Sequence, residues 1–134
     1  FGTTRTEADW LSRDPLIVDK YVKDPLCGQS ISTQSWLDFF AAASRLFNPK
    51  ALKKLKPELP IYLVAGDRDP VGRSGKDVHT LFEKLSSAGQ RDVHMKLYSG
   101  GRHEIFNEIN QAEVYIDLLK WIDYCRTTTE RLKI

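Results

Sequence analysis

The sequence predicts an α/β fold with a parallel sheet, and three stretches predict it. Ile61-Tyr62-Leu63-Val64-Ala65 is an unbroken apolar run between Pro60 and Gly66, the pattern of a strand buried on both faces. Val78, Leu81, Phe82 and Leu85 then recur at helical spacing, with Ser74 and Asp77 as a cap pair and Gly89 as the stop. Val93, Met95 and Leu97 alternate with His94, Lys96 and Tyr98, a second strand with one wetter face. Strand, crossover helix, strand and final helix make an α/β unit with a right-handed crossover.

The 134 residues suit one domain, and 41% apolar content supplies a core. A formal charge of +2 lacks the basic excess of a nucleic-acid binder, so no nucleic-acid partner is expected. Lys50, Lys53, Lys54 and Lys56 read as a solvated helix face. Cys27 and Cys125 have no metal-ligand spacing; they read as buried free thiols of a reducing, cytoplasmic compartment. No zinc or other cofactor is expected. No apolar run approaches the ~18–20 residues of a membrane span, although peripheral lipid contact stays open.

Residues 1–57 contain no convincing strand. Thr6, Glu7 and Asp9 before Trp10-Leu11 look like a short helix start. Asp14-Pro15 opens a second helix carrying Leu16, Ile17, Tyr21 and Val22, broken at Asp24-Pro25 and Cys27-Gly28. Ser30 to Gln34 reads as loop. Ser35 with Asp38 caps a clearer helix that places Trp36, Phe40, Ala43 and Phe47 on one face and stops at Asn48-Pro49. A short basic helix follows from Lys50 to Leu55. This aromatic-rich region is either ordinary core or a helical cap shielding an apolar substrate pocket. At the other end, Asn110 and Glu113 cap a last helix to about Arg126, with Val114, Leu118, Ile122 and Cys125 inward, before a fraying tail.

The Ile61–Ala65 strand reads as central, and the chain offers it only one neighbour. Two strands alone do not make a stable sheet. The remainder must come from a preceding part of the same product, a second chain or a swapped partner. The first is favoured, because a start at Phe1 fits a fragment.

Chemistry concentrates at the two strand ends, where parallel sheets gather functional groups. Asp69 follows the first strand in Gly66-Asp67-Arg68-Asp69, and His103 follows the second in Gly100-Gly101-Arg102-His103. A carboxylate on one imidazole nitrogen fixes the tautomer and leaves the other nitrogen to act as a base. Either residue alone is a weak signal. Asp67 reads as a turn or salt-bridge residue. Glu104 and Glu108 are expected to pair with Arg102 or cap a turn, and His79 and His94 to be structural or exposed.

The stretches LPIYLVAGDRDPVG and KLYSGGRHEIFNE resemble the C-terminal half of an α/β-hydrolase, most of all the bacterial monoacylglycerol lipase and lysophospholipase branch, also termed serine aminopeptidase-like. The upstream text RTEADWLSRDPLIVDKYVKDPLCG resembles that branch's lid. The resemblance implies a helical lid over residues 1–57 and part of the hydrolase core over 58–134. It implies that Asp69 and His103 are the acid and base of a Ser-His-Asp triad, and that the substrate is a small lipid-like ester. The motif Gly-x-Ser-x-Gly is absent from the sequence, as is an oxyanion turn. Both are expected in a missing N-terminal half, so this chain alone is expected to be inactive. Two other readings stand beside this one. Asp67-x-Asp69-x-Val71 after an apolar strand imitates the motif of magnesium-dependent haloacid-dehalogenase-like phosphatases, and a hydrolase-like chain without its serine could serve as a binding scaffold.

Overall fold

The computed structural model describes residues 4–46 and 48–131, so Phe47 and the tail beyond 131 lie outside the described residues. Two strands, β1 (Ile61–Gly66) and β2 (Val93–Tyr98), pair in parallel, with Ile61 opposite Val93 and Gly66 opposite Tyr98. The crossover between them is a helix, here α4 (Lys76–Ser87). The second edge of β1 has no strand partner among the described residues. Ile61 to Ala65 are correspondingly half-buried rather than buried on both faces, and Gly66 alone in the strand is buried.

The face of β2 expected to be wetter leaves His94 exposed, but a helix covers its other end. Tyr98 is buried with Ile105 and Val114, and Val64 packs against that cluster. The covering helix, α5 (Gln111–Arg131), runs past the expected end at Arg126. Its inward positions are Val114, Leu118, Trp121 and Cys125; Ile122 is exposed, while Trp121 packs on Tyr62 with ring centroids 5.7 Å apart. Lys96 avoids an unpaired charge beneath α5 by reaching Asp117 at 2.5 Å and Glu113 at 2.8 Å. Asn110 donates to Glu113 from its side chain at 3.0 Å.

Before β1 stand three helices, α1 (Pro15–Lys23), α2 (Thr33–Leu46) and α3 (Pro49–Leu52). Asp14 caps α1 by accepting from Leu16 N–H, and Pro15 fits the first turn, where a missing N–H costs nothing. Val18 is the buried residue of α1, whereas Leu16 and Val22 face outward. The segment at Thr6 forms turns rather than a helix; Thr6 and Asp9 bond to each other at 2.6 Å, which closes the turn locally. Helix α2 starts earlier than Ser35, because Ser32 Oγ accepts from Ser35 N–H at 3.1 Å. Asp38 instead accepts from Gln34. Trp36 and Phe40 share a face and stack at 5.5 Å, but they are 47% and 60% exposed. The basic helix α3 is shorter than expected, with Asn48 as its cap.

Ser74 does not cap α4. Arg73, Ser74 and Gly75 all have positive φ, and Gly75 occupies the cap position with φ 86°. A side chain at Gly75 would also meet Leu97 of β2, so glycine serves both the turn and the packing. Asp77 pairs with Arg73 instead. Gly89 and Gln90 close the helix by donating to the Ser86 and Leu85 carbonyls, both at 3.1 Å. Cys27 and Cys125 are free and half-buried rather than buried. No helix among the described residues is long and apolar enough to cross a membrane.

Candidate active site

The C-terminal ends of β1 and β2 are fastened together by their turns. Asp67 N–H donates to the Tyr98 carbonyl at 3.1 Å and Arg68 N–H to the Gly101 carbonyl at 2.8 Å. The Asp67 carboxylate accepts from Gly100 N–H at 2.7 Å. The backbones approach so closely that a Cβ at Gly66 would run into the Gly101 and Arg102 carbonyls.

This fastening brings Asp69 and His103 together. His103 Nδ1 lies 3.1 Å from Asp69 Oδ2. The other carboxylate oxygen, Oδ1, accepts from Val71 N–H at 2.9 Å, which fixes the carboxylate plane. An ionised carboxylate only accepts, so the proton of a neutral His103 belongs on Nδ1 and Nε2 carries the lone pair. The Asp69 side chain is 11% exposed and His103 39%. The carboxylate is thus shielded and the imidazole open. The Asp67 and Asp69 carboxylates have separate partners: Asp67 accepts from Gly100, and Asp69 meets Val71 and His103.

The N-terminal segment closes over the histidine loop. His103 N–H donates to the Trp10 carbonyl at 3.3 Å and Glu104 N–H to the Leu11 carbonyl at 2.8 Å. The Arg102 guanidinium donates to the carbonyls of Asp9 and Ser12. Glu108 is 1% exposed and accepts from Arg13 Nε at 2.9 Å and from the N–H groups of Arg13, Arg102 and Ile109. Of the two roles expected for Glu108, pairing with Arg102 or capping a turn, it takes up backbone N–H groups of the turn, that of Arg102 among them, and it pairs by charge with the Arg13 guanidinium. The Trp10 indole packs against the His103 ring, with centroids 5.0 Å apart and a 44° tilt. Neither Trp10 nor Arg13 stands out in the sequence, because their partners are about ninety residues away. His94 pairs with Asp92 at 2.8 Å beside Tyr124, and His79 is exposed on α4.

The sequence pattern of the family described as serine aminopeptidase, S33 matches residues 2–110. The chain belongs to this serine aminopeptidase family. A monoacylglycerol lipase from Mycolicibacterium smegmatis is 31% identical over 119 residues, covering 87% of this chain and 39% of that protein. Among solved structures, a highly thermostable carboxyl esterase from Bacillus coagulans in complex with glycerol aligns with a TM-score of 0.78 at 31% identity, over 90% of this chain and 40% of that one. The monoacylglycerol lipase of Paleococcus ferrophilus gives 0.71 at 26% identity, over 87% and 42% respectively. The fold is therefore of α/β-hydrolase type, and this family member spans about two-fifths of the length of the relatives it matches.

Proposed function

We propose that this chain is the acid- and base-bearing part of a serine hydrolase that cleaves carboxylic esters of monoacylglycerol or lysophospholipid type. The observation that carries the reading is the 3.1 Å contact between His103 and Asp69 at adjoining strand ends. In the proposed reaction, His103 Nε2 takes the proton of a serine hydroxyl as it attacks the ester carbonyl. Asp69 stabilises the imidazolium, which then protonates the leaving alcohol; water and the same base release the acid. The serine and the oxyanion donors come from polypeptide outside this sequence, in the N-terminal half of the core. Residues 58–134 supply the rest of that core, and residues 1–57 form its lid. The exposed aromatic cluster Trp36, Phe39 and Phe40 on α2 supports a surface that receives an acyl chain. The names of the similar lipases and esterase support an ester of glycerol as the substrate class.

The test is fatty-acid release from monoacylglycerol, lysophospholipid and an amino-acid amide by the complete gene product, beside phosphate release from a phosphomonoester with magnesium. Ester cleavage that requires both Asp69 and His103 is expected, with no turnover by the 134-residue chain alone. Phosphatase activity, or ester cleavage by the isolated chain, would contradict the assignment.

A further inference from the structure

The residues facing His103 include one that the proposed reaction does not use. The Trp10 carbonyl accepts the backbone N–H of His103, and the Trp10 indole lies against the His103 ring at 5.0 Å. One residue thus holds both the main chain and the side chain of the histidine. Its own position is held by further contacts. Trp10 packs against the buried cluster of Ala8, Leu11 and Val18, and the carbonyls flanking it are bound by Arg102 and by Glu104 N–H.

We propose that Trp10 is a positioning residue for His103: it holds the imidazole at its working tilt and stabilises the positive charge the ring acquires on taking a proton. This rests on the reading of His103 as the base. Asp69 fixes the ring at Nδ1 only, and rotation about that bond would swing Nε2 away from a serine. A broad apolar face against the ring blocks this rotation. The face of an indole also attracts a cation within about 6 Å of its centroid and has much less hold on a neutral ring. The contact is therefore stronger after proton transfer than before it, which is the condition for accelerating the step.

The experiment uses the complete hydrolase and compares Trp10→Leu with Trp10→Phe. Leucine keeps apolar volume but has no π face, whereas phenylalanine restores one. Trp10→Leu is expected to lower kcat roughly three- to ten-fold with KM little changed, and Trp10→Phe to recover most of it. A merely structural role would give equal losses in the two variants, and a substrate-contact role would appear in KM; either pattern overturns the proposal. A second measurement needs no Trp10 variant. The ring-proton NMR resonances of His103, assigned by their loss in His103→Gln, are expected to be displaced by the indole ring current. Resonances at ordinary histidine positions would overturn the proposal even if Trp10→Leu did not fold. The two readings fail separately. If His103→Ala leaves the serine reactive toward a fluorophosphonate, the base assignment falls. If His103→Ala abolishes labelling while Trp10→Leu labels at the wild-type rate, only the role of Trp10 falls.

Discussion

Asp67 accepts a 2.7 Å hydrogen bond from the N–H of Gly100, so the turn that carries Asp69 is tied to the turn that carries His103. The side-chain contact between Asp69 and His103 is a consequence of this backbone arrangement. Two strands in parallel register end level with each other, and their turns are stitched by three hydrogen bonds.

The close approach at Gly66 makes it the least replaceable residue of the stitch. A methyl group there meets backbone carbonyls, which cannot rotate away as a side chain could. Gly66→Ala should destabilise the complete protein by about 2–3 kcal/mol, in the range of overpacking, and should lower ester hydrolysis by moving His103. Denaturant unfolding and initial rates check both effects; a wild-type unfolding midpoint would contradict the packing argument.

Glu108 joins the N-terminal segment to the histidine loop from a buried position. Removing its carboxylate leaves Arg13 Nε and three backbone N–H groups without their acceptor, while the rest of the guanidinium keeps Asn110. Glu108→Ala should cost about 3–5 kcal/mol, the usual penalty for breaking a buried pair, and Glu108→Gln clearly less, since one acceptor oxygen stays. Equal losses from the two variants, read by denaturant unfolding, would show that packing and not hydrogen bonding matters there.

How far the sequence discloses all this varies with the range of the interaction. Both strands, the crossover helix and the approach of Asp69 to His103 were legible, because each depends on local periodicity or on the rule that strand ends carry function. The caps were misplaced where a neighbour intervened. Ser74 lies in a left-handed turn that Gly75 closes, and Ser32 supplied the α2 cap from what looked like loop. Tyr98 and Lys96 looked wet because their alternation is polar, yet α5 buries one and pairs the other. The strap at Trp10 and Arg13 was not legible at all. Its partners, His103 and Glu108, are distant in the chain, and no local pattern announces such a contact.

The Lys96 cluster gives the fold a pH dependence. The hydrogen bond from Lys96 holds the Asp117 and Glu113 carboxyls below their ordinary range, and Asp117 foremost, then Glu113, hold Lys96 above its own. Depressed carboxyls stabilise the fold above their unfolded values and lose that contribution as pH falls through the folded ones. Stability should thus be level from about pH 5 to 8 and decline below about pH 4. Asp117→Asn should flatten the decline. Denaturant midpoints across this range test it, and an unchanged acid slope in Asp117→Asn would contradict the assignment.

The aromatic face of α2 is exposed, so its residues contribute little to holding this chain together. Replacing Trp36, Phe39 and Phe40 by serine should change stability by no more than about 0.5 kcal/mol per site. If the face receives an acyl chain, KM for long-chain monoacylglycerol should rise while hydrolysis of a short-chain ester is unaffected. A uniform loss on both substrates would argue against an acyl-binding surface.

The proposed hydrolysis depends most on His103 working as a base through Asp69. Its most direct measurement is the rate at which a fluorophosphonate probe labels the complete hydrolase, with and without His103→Ala. The serine should become essentially unreactive in the variant, with labelling slowed by at least about 10³-fold. Labelling at the same rate in both proteins would contradict the account.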